Sequence, residues 1–199
     1  MVRIGVTGAM ASGKSTLARR FRERGADYVD GDALGWEVLR LAEVRAAIRE
    51  AFGDDVMDRQ GEVDRARLGR VVFADPDRMG RLNAIVQPKL LERVRAALEA
   101  PGAPVRVLDA AMLTTWRIEP ELDGVVEVVA SEDERARRLR AARSFSDEVA
   151  RGRIQGQKLP PVRGARRLWK VENAGDRAAL VAQADAIWDE IQSLSEAKA

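Results

Sequence analysis

The chain has 199 residues, 46% hydrophobic and 33% charged, with 34 Lys and Arg against 32 Asp and Glu for a formal net charge of +2. That balance describes about one globular domain with a small appendage and excludes a disordered or fibrous chain. The slim charge excess speaks against a nucleic-acid partner, the lack of cysteine excludes disulfides and thiolate metal sites, and the lack of histidine leaves a carboxylate, Lys or Tyr as any general base.

No apolar run reaches the roughly 18 residues of a membrane span, and no basic-apolar leader follows Met1. A cytoplasmic protein without a membrane partner is expected. Ile4-Gly5-Val6 reads as a short buried strand. Directly after it, Gly8-Ala9-Met10-Ala11-Ser12-Gly13-Lys14-Ser15 has the Gly-x-x-x-x-Gly-Lys-Ser form of a P-loop. The chemistry explains the spacing. Gly8 and Gly13 let backbone amides turn inward around phosphate oxygens, Lys14 reaches the outer phosphates, and the Ser15 hydroxyl can ligate Mg²⁺. A helix from Thr16 to about Arg24 points its positive end at the same anion. The motif predicts binding of a nucleoside triphosphate.

Asp27-Tyr28-Val29 reads as a second strand, closing at Asp30-Gly31-Asp32. The helical spacing of Leu34, Val38, Leu41, Val44 and Ile48 predicts one helix from Ala33 to Phe52. A polar loop between Gly53 and Gly61 follows, then helices over Arg65 to Phe73, Pro76 to Val86 and Pro88 to Ala100. Asp75-Pro76 is a start signal, an N-cap followed by proline at N1. Val105 to Leu108 and Val125 to Val129 are the third and fourth strands. Ser131-x-x-Glu134 is a capping box opening an Arg-rich helix to about Ala142. Ser146 caps the next helix, through Gln157. Val171 lies on a fifth strand, a final helix runs from Asp176 to about Ser193, and the tail from Ser195 to Ala199 is expected to fray.

Strands alternating with helices predict a parallel sheet covered on both faces, with ligands beyond the carboxyl ends of its strands. The P-loop, Asp30, Asp32 and Asp109 all fall at such ends. Asp32 either caps the following helix or accepts an acceptor hydroxyl proton. Asp109 is either a turn former or a Walker-B-type carboxylate serving Mg²⁺. Arg135, Arg137, Arg138, Arg140 and Arg143 form either a solvated face or a lid bearing one or two phosphate-seeking cations. Asn173-Ala174-Gly175 is either a plain turn or an adenine contact. Trp36, Trp116, Trp169 and Trp188 read as core or domain-packing residues. No Asn-Lys-x-Asp guanine-reading pattern is present.

Ile4 through Thr16, Asp30-Gly31-Asp32, Leu68 through Pro76, Ile85-Val86-Gln87-Pro88, Leu108-Asp109, Ser146 through Gln157 and Glu172 through Gly175 stand in the order and spacing of one family. Over nearly its whole length the chain resembles the dephospho-CoA kinases. The resemblance implies a P-loop NTPase fold of the α/β class, a five-stranded parallel sheet flanked by helices, with a helical substrate-binding domain and a lid. Its parts map to a core of about 1–32, 101–134 and 168–199, a CoA-side domain of about 33–100 and a lid of about 135–167. The implied reaction moves the ATP γ-phosphoryl to the ribose 3′-hydroxyl of dephospho-CoA. The alternatives are another small-molecule or nucleotide P-loop kinase, and a non-catalytic ATP-binding regulator. By position, Asp32 matches the base, Lys14 the phosphate lysine, and Ala11, Ser12, Gly13, Lys14, Ser15 and Thr16 the ATP segment, with Gly8 and Asn173 beside it. Thr7, Asp32 and Asp109 are expected on the acceptor side. Arg143 resembles the lid arginine, one residue closer to Ser146 than usual, with Arg140 its rival. Gln87 replaces the family's His, and Ala110 to Thr115 lacks the family's Pro and Glu. A monomer or weak homo-oligomer is expected.

Overall fold

The structure, a computed structural model, describes residues 1–73, 75–143, 145–157 and 159–198, and of Arg143 only the backbone. It divides into two compact units, residues 1–30 with 100–199, and residues 31–99.

The first unit is built on five parallel strands: β1 (Val2–Thr7), β2 (Asp27–Asp30), β3 (Val105–Asp109), β4 (Gly124–Val129) and β5 (Leu168–Glu172). Their order is β2-β3-β1-β4-β5, so β1 lies in the centre with a partner on either side. β1 and β3 are buried at nearly every position, as strands covered on both faces must be. Helices α1 (Lys14–Glu23) and α9 (Arg177–Glu196) share one cluster with the strands, where Phe21 and Trp188 meet with ring centroids 5.7 Å apart. Each fully buried side chain of that size contributes about 1.5–3 kcal/mol by leaving water. Trp188 is thus a core residue, whereas Trp169 is half-buried and donates to Glu190.

The described tail, as far as Lys198, is tied down, contrary to the expected fraying. α9 continues to Glu196, Ser195 is buried with its hydroxyl donating to the Pro104 carbonyl, and Lys198 pairs with the buried Asp123. An ammonium covering an otherwise costly buried carboxylate is what holds it. A four-residue helix, α6 (Leu113–Trp116), and two 3₁₀ turns follow no strong sequence signal. α7 (Glu132–Arg143) and α8 (Asp147–Gly156) pack together, each opening on its predicted serine: Ser131 accepts from the Glu134 amide and Ser146 from that of Val149.

The second unit consists of α2 (Gly31–Leu39), α3 (Ala42–Phe52), α4 (Arg65–Phe73) and α5 (Pro76–Glu99). Two corrections fall here. The expected helix from Ala33 to Phe52 is broken at Arg40 and Leu41. Their amides turn back three residues, to Glu37 and Val38, and Leu41 is extended at ψ 134°. The break lets Val38 on one helix and Val44 and Ile48 on the next all be buried. Conversely, α5 runs through Pro88 without interruption. Burial of Leu90, Val94 and Leu98 along its second half outweighs the backbone bond that proline cannot make. Asp75 caps α5 through the amides of Asp77 and Arg78, as its sequence predicts.

Candidate active site

The site grows from the carboxyl end of β1. Six residues, Gly8 to Gly13, separate the end of β1 from the start of α1. Gly13 has φ 105° and Gly8 φ 152°. A Cβ on Gly13 would overlap the Asn173 amide, and one on Gly8 would stand 2.6 Å from the Ser12 hydroxyl and nearer still to the Val128 carbonyl. Only glycine fits either place. Ala11 is left-handed too, at φ 62°. No side chain caps α1, whose N-cap is Gly13, so its first amides are offered to the loop's interior. A backbone cradle at the head of a helix is an anion site.

Lys14 stands at the mouth of that cradle. Its ammonium donates to Asp109 Oδ1 at 2.6 Å and to the Ser15 hydroxyl at 3.3 Å. Asp109, 3% exposed at the end of β3, accepts a second bond on Oδ2, from the Tyr28 hydroxyl at 2.8 Å. The register explains the meeting, since Asp109 lies opposite Val6 of β1 on one side and Asp30 of β2 on the other. Burial, then the bond to Asp109, pushes the Tyr28 hydroxyl well above the usual phenol range, so it remains a donor. Thr7 is buried and donates to the Ala111 carbonyl, tying β1 to the segment after β3.

The other side of the loop is held by α7 and the end of β5. Arg135 Nε donates to the Met10 carbonyl at 2.9 Å. Arg138 Nη1 donates to the carbonyls of Ala11 at 3.1 Å and Ser12 at 2.9 Å, and its Nη2 to Asn173 Oδ1 at 2.8 Å. Asn173 Nδ2 returns to the Ser12 carbonyl at 2.8 Å. Glu134 accepts from Arg137 and Arg138, and these arginines, Arg137 first, hold its carboxyl at about 2. The Arg-rich helix therefore divides. Arg135 and Arg138 face the P-loop, whereas Arg140 is half-exposed and pairs with Asp147. The Arg143 side chain, with Ala74, Ser144, Lys158 and Ala199, lies outside the described residues. Sequence reasoning missed the roles of Tyr28 and Gln157; the latter accepts from the Met10 amide at 2.5 Å. The i, i+3 spacing of Arg135 and Arg138 was a signal for a shared face.

Two clefts adjoin the loop. One of about 520 Å³ is lined by Thr7, Gly8, Ser12, Thr114, Arg135 and Gln157. The other, of about 360 Å³, is lined by Gly13, Thr16, Arg138, Asn173, Gly175 and Arg177. No group of three or more acidic side chains suited to a metal occurs among the described residues. One hydroxyl and one carboxylate fit an ion that takes its remaining ligands from phosphate and water.

In the second unit, Asp32 is exposed in the first turn of α2, one residue past the helix start rather than at its cap. There an acidic side chain is favoured by the helix dipole. The Arg65 guanidinium lies over the Trp36 ring. Burial lowers its pKa, and the nearby Asp32 charge opposes that shift. Trp36, Arg40 and Arg65 line a cleft of about 470 Å³.

A central parallel strand ending in a glycine cradle, with a lysine held between a hydroxyl and a β3 carboxylate, defines a P-loop nucleotide-binding protein. The model of the dephospho-CoA kinase family matches residues 2–178. A dephospho-CoA kinase of Thermobifida fusca is 35% identical over 198 residues, 96% of this chain and 97% of its own. One of Anaeromyxobacter dehalogenans is 38% identical over 186 residues, 92% and 88% of the two chains. The crystal structure of TT1252 from Thermus thermophilus superposes with a TM-score of 0.77 at 30% identity, covering 95% of this chain and 97% of that one. The chain belongs to the dephospho-CoA kinase family.

Proposed function

We propose that the chain transfers the γ-phosphoryl group of ATP to the ribose 3′-hydroxyl of dephospho-CoA, giving CoA and ADP, the last step of coenzyme A biosynthesis. The observation that carries this reading is the Lys14–Asp109 contact at the mouth of a glycine cradle, in a chain matched by the family from residue 2 to residue 178.

Transfer through a loose transition state asks the protein mainly for alignment and charge neutralisation. The loop amides and Lys14 take the triphosphate. The cleft beside Gly13, Thr16, Asn173 and Arg177 suits the nucleoside. Ser15 would hold Mg²⁺ together with phosphate oxygens, and the ion would supply further charge neutralisation. Asp32 orients the acceptor hydroxyl and takes its proton late, as the bond to phosphorus forms and that to the ADP oxygen breaks. With no histidine in the chain, a carboxylate is the natural base. Thr7 and Asp109 are assigned to the acceptor side, and Arg140 or Arg143 to the lid cation. A lid keeps water from becoming the acceptor. The enzyme works in the cytoplasm as a monomer or weak homo-oligomer, without nucleic acid.

Purified protein given ATP, Mg²⁺ and a panel of alcohols tests the substrate, with products read by mass spectrometry. Dephospho-CoA is expected to be phosphorylated at the 3′ position. Phosphorylation of a nucleoside monophosphate or sugar alone would replace it as the acceptor, and ATP binding without any transfer would leave a regulator.

A further inference from the structure

We infer that Arg138 and Arg135 are positioning residues which shape the P-loop through its carbonyls, with Asn173 completing the frame, so that these two side chains govern nucleotide affinity without themselves touching phosphate. This deepens the reading above and rests on it for the identity of the nucleotide.

The argument begins with the peptide plane. In a trans peptide the C=O and the next residue's N–H point in opposite directions. Fixing the carbonyls of Met10, Ala11 and Ser12 therefore fixes the amides of Ala11, Ser12 and Gly13. All these carbonyls are taken by side chains: Met10 by Arg135, Ala11 by Arg138, and Ser12 by both Arg138 and Asn173. The Ser12 amide closes a turn onto the Ala9 carbonyl at 3.0 Å. The amides of Ala11 and Gly13 are thereby turned away from α7, into the cradle.

Three further observations agree. Ala11 holds a left-handed conformation that a non-glycine residue keeps only where its surroundings over-determine it, and its carbonyl is one that Arg138 grips. The Arg138 fork is fully engaged: Nε on Glu134 at 2.8 Å, Nη1 on the loop, and Nη2 on the Asn173 side chain and its carbonyl. A guanidinium so committed has no donor to spare for phosphate. Finally, Gln157, at the end of α8, accepts from the Met10 amide, the next one along the loop. Both lid helices thus bind P-loop backbone, α7 by its carbonyls and α8 by an amide.

The fork geometry makes the test sharp, because lysine keeps the charge and loses the shape. In Arg138→Lys and Arg138→Gln alike, the calorimetric ATP dissociation constant should rise about 10- to 100-fold, the scale of a few lost charge-assisted bonds. Without nucleotide, amide exchange across residues 8–14 should quicken while that of β1, β3 and β4 holds. Glu134→Gln, which spares the fold more, should show the same exchange pattern more weakly. ATP affinity restored by Lys, or a fall in kcat at unchanged affinity, would make Arg138 a phosphate ligand instead. Unchanged exchange across 8–14 in all these variants would overturn the positioning role. Failure of the wild type to bind ATP would overturn only the assigned nucleotide, since the exchange readout contains none.

Discussion

The Lys14 ammonium lies 2.6 Å from the Asp109 carboxylate, and both are largely withdrawn from water, with side chains 13% and 3% exposed. The lysine assigned to the phosphates is thus neutralised by the strand beside it. A bound triphosphate offers the same ammonium a second anionic partner.

Asp109→Asn leaves that buried ammonium short of its partner, a loss on the order of 3 kcal/mol in stability. Because the triphosphate can replace the missing charge, ATP should recover part of the deficit. Thermal melts of both proteins with and without nucleotide measure this. A deficit that ATP leaves untouched would mean that Lys14 does not move to the phosphates. Tyr28→Phe leaves the buried Asp109 Oδ2 without its donor and should cost about 2 kcal/mol, the scale of a hydrogen bond to a charged group.

Gly13→Ala introduces both a positive-φ penalty and an overlap with the Asn173 amide. A loss of about 2 kcal/mol or more is expected, with ATP binding abolished. Adding Asn173→Ala relieves the overlap but not the backbone penalty, so the double variant should regain stability only in part. Denaturant midpoints of the four proteins decide whether the two causes separate as argued.

Glu134 supplies a pH test. Its folded pKa of about 2 lies below the ordinary 4.5, held there first by Arg137 and then helped by Arg138. A depressed carboxylate stabilises the fold at pH values above 4.5, and that contribution disappears as pH falls through about 2. The stability difference between wild type and Glu134→Gln should therefore be constant near neutrality and shrink steadily below pH 4.5. A difference that grows in acid would contradict the pairing.

Much of this was legible in the residues. The P-loop announced itself because close backbone approach requires glycine at the two tight positions and phosphate charge calls for the lysine after the second. The five strands and their parallel sheet followed from apolar runs alternating with helices, and Ser131, Ser146 and Asp75 cap as read. Other features depend on contacts that no local pattern carries. Pro88 should stop a helix, yet burial along the second half of α5 keeps it continuous. Leu41 fits a helical stripe, yet burial of Val38, Val44 and Ile48 is met by two shorter helices. Lys198 sits in a polar tail whose anchor is 75 residues away in sequence. Within the site, Arg138 and Asn173 were visible as candidates, but their grip on the loop's carbonyls arises only when α7 and β5 come together.

Asp32 is the assigned base, and Asp32→Asn keeps the side chain's shape while removing its proton affinity. kcat should drop about 10²-fold, with the ATP dissociation constant nearly unchanged. Near-normal turnover would remove Asp32 from the chemistry and leave alignment alone to do the work.

The most direct test of the whole account is ADP release by the purified wild type in ATP and Mg²⁺, followed with dephospho-CoA and then without it. The account predicts rapid release only when the acceptor is present, one CoA formed for each ADP. Equal rates in the two conditions, or no release in either, would contradict it.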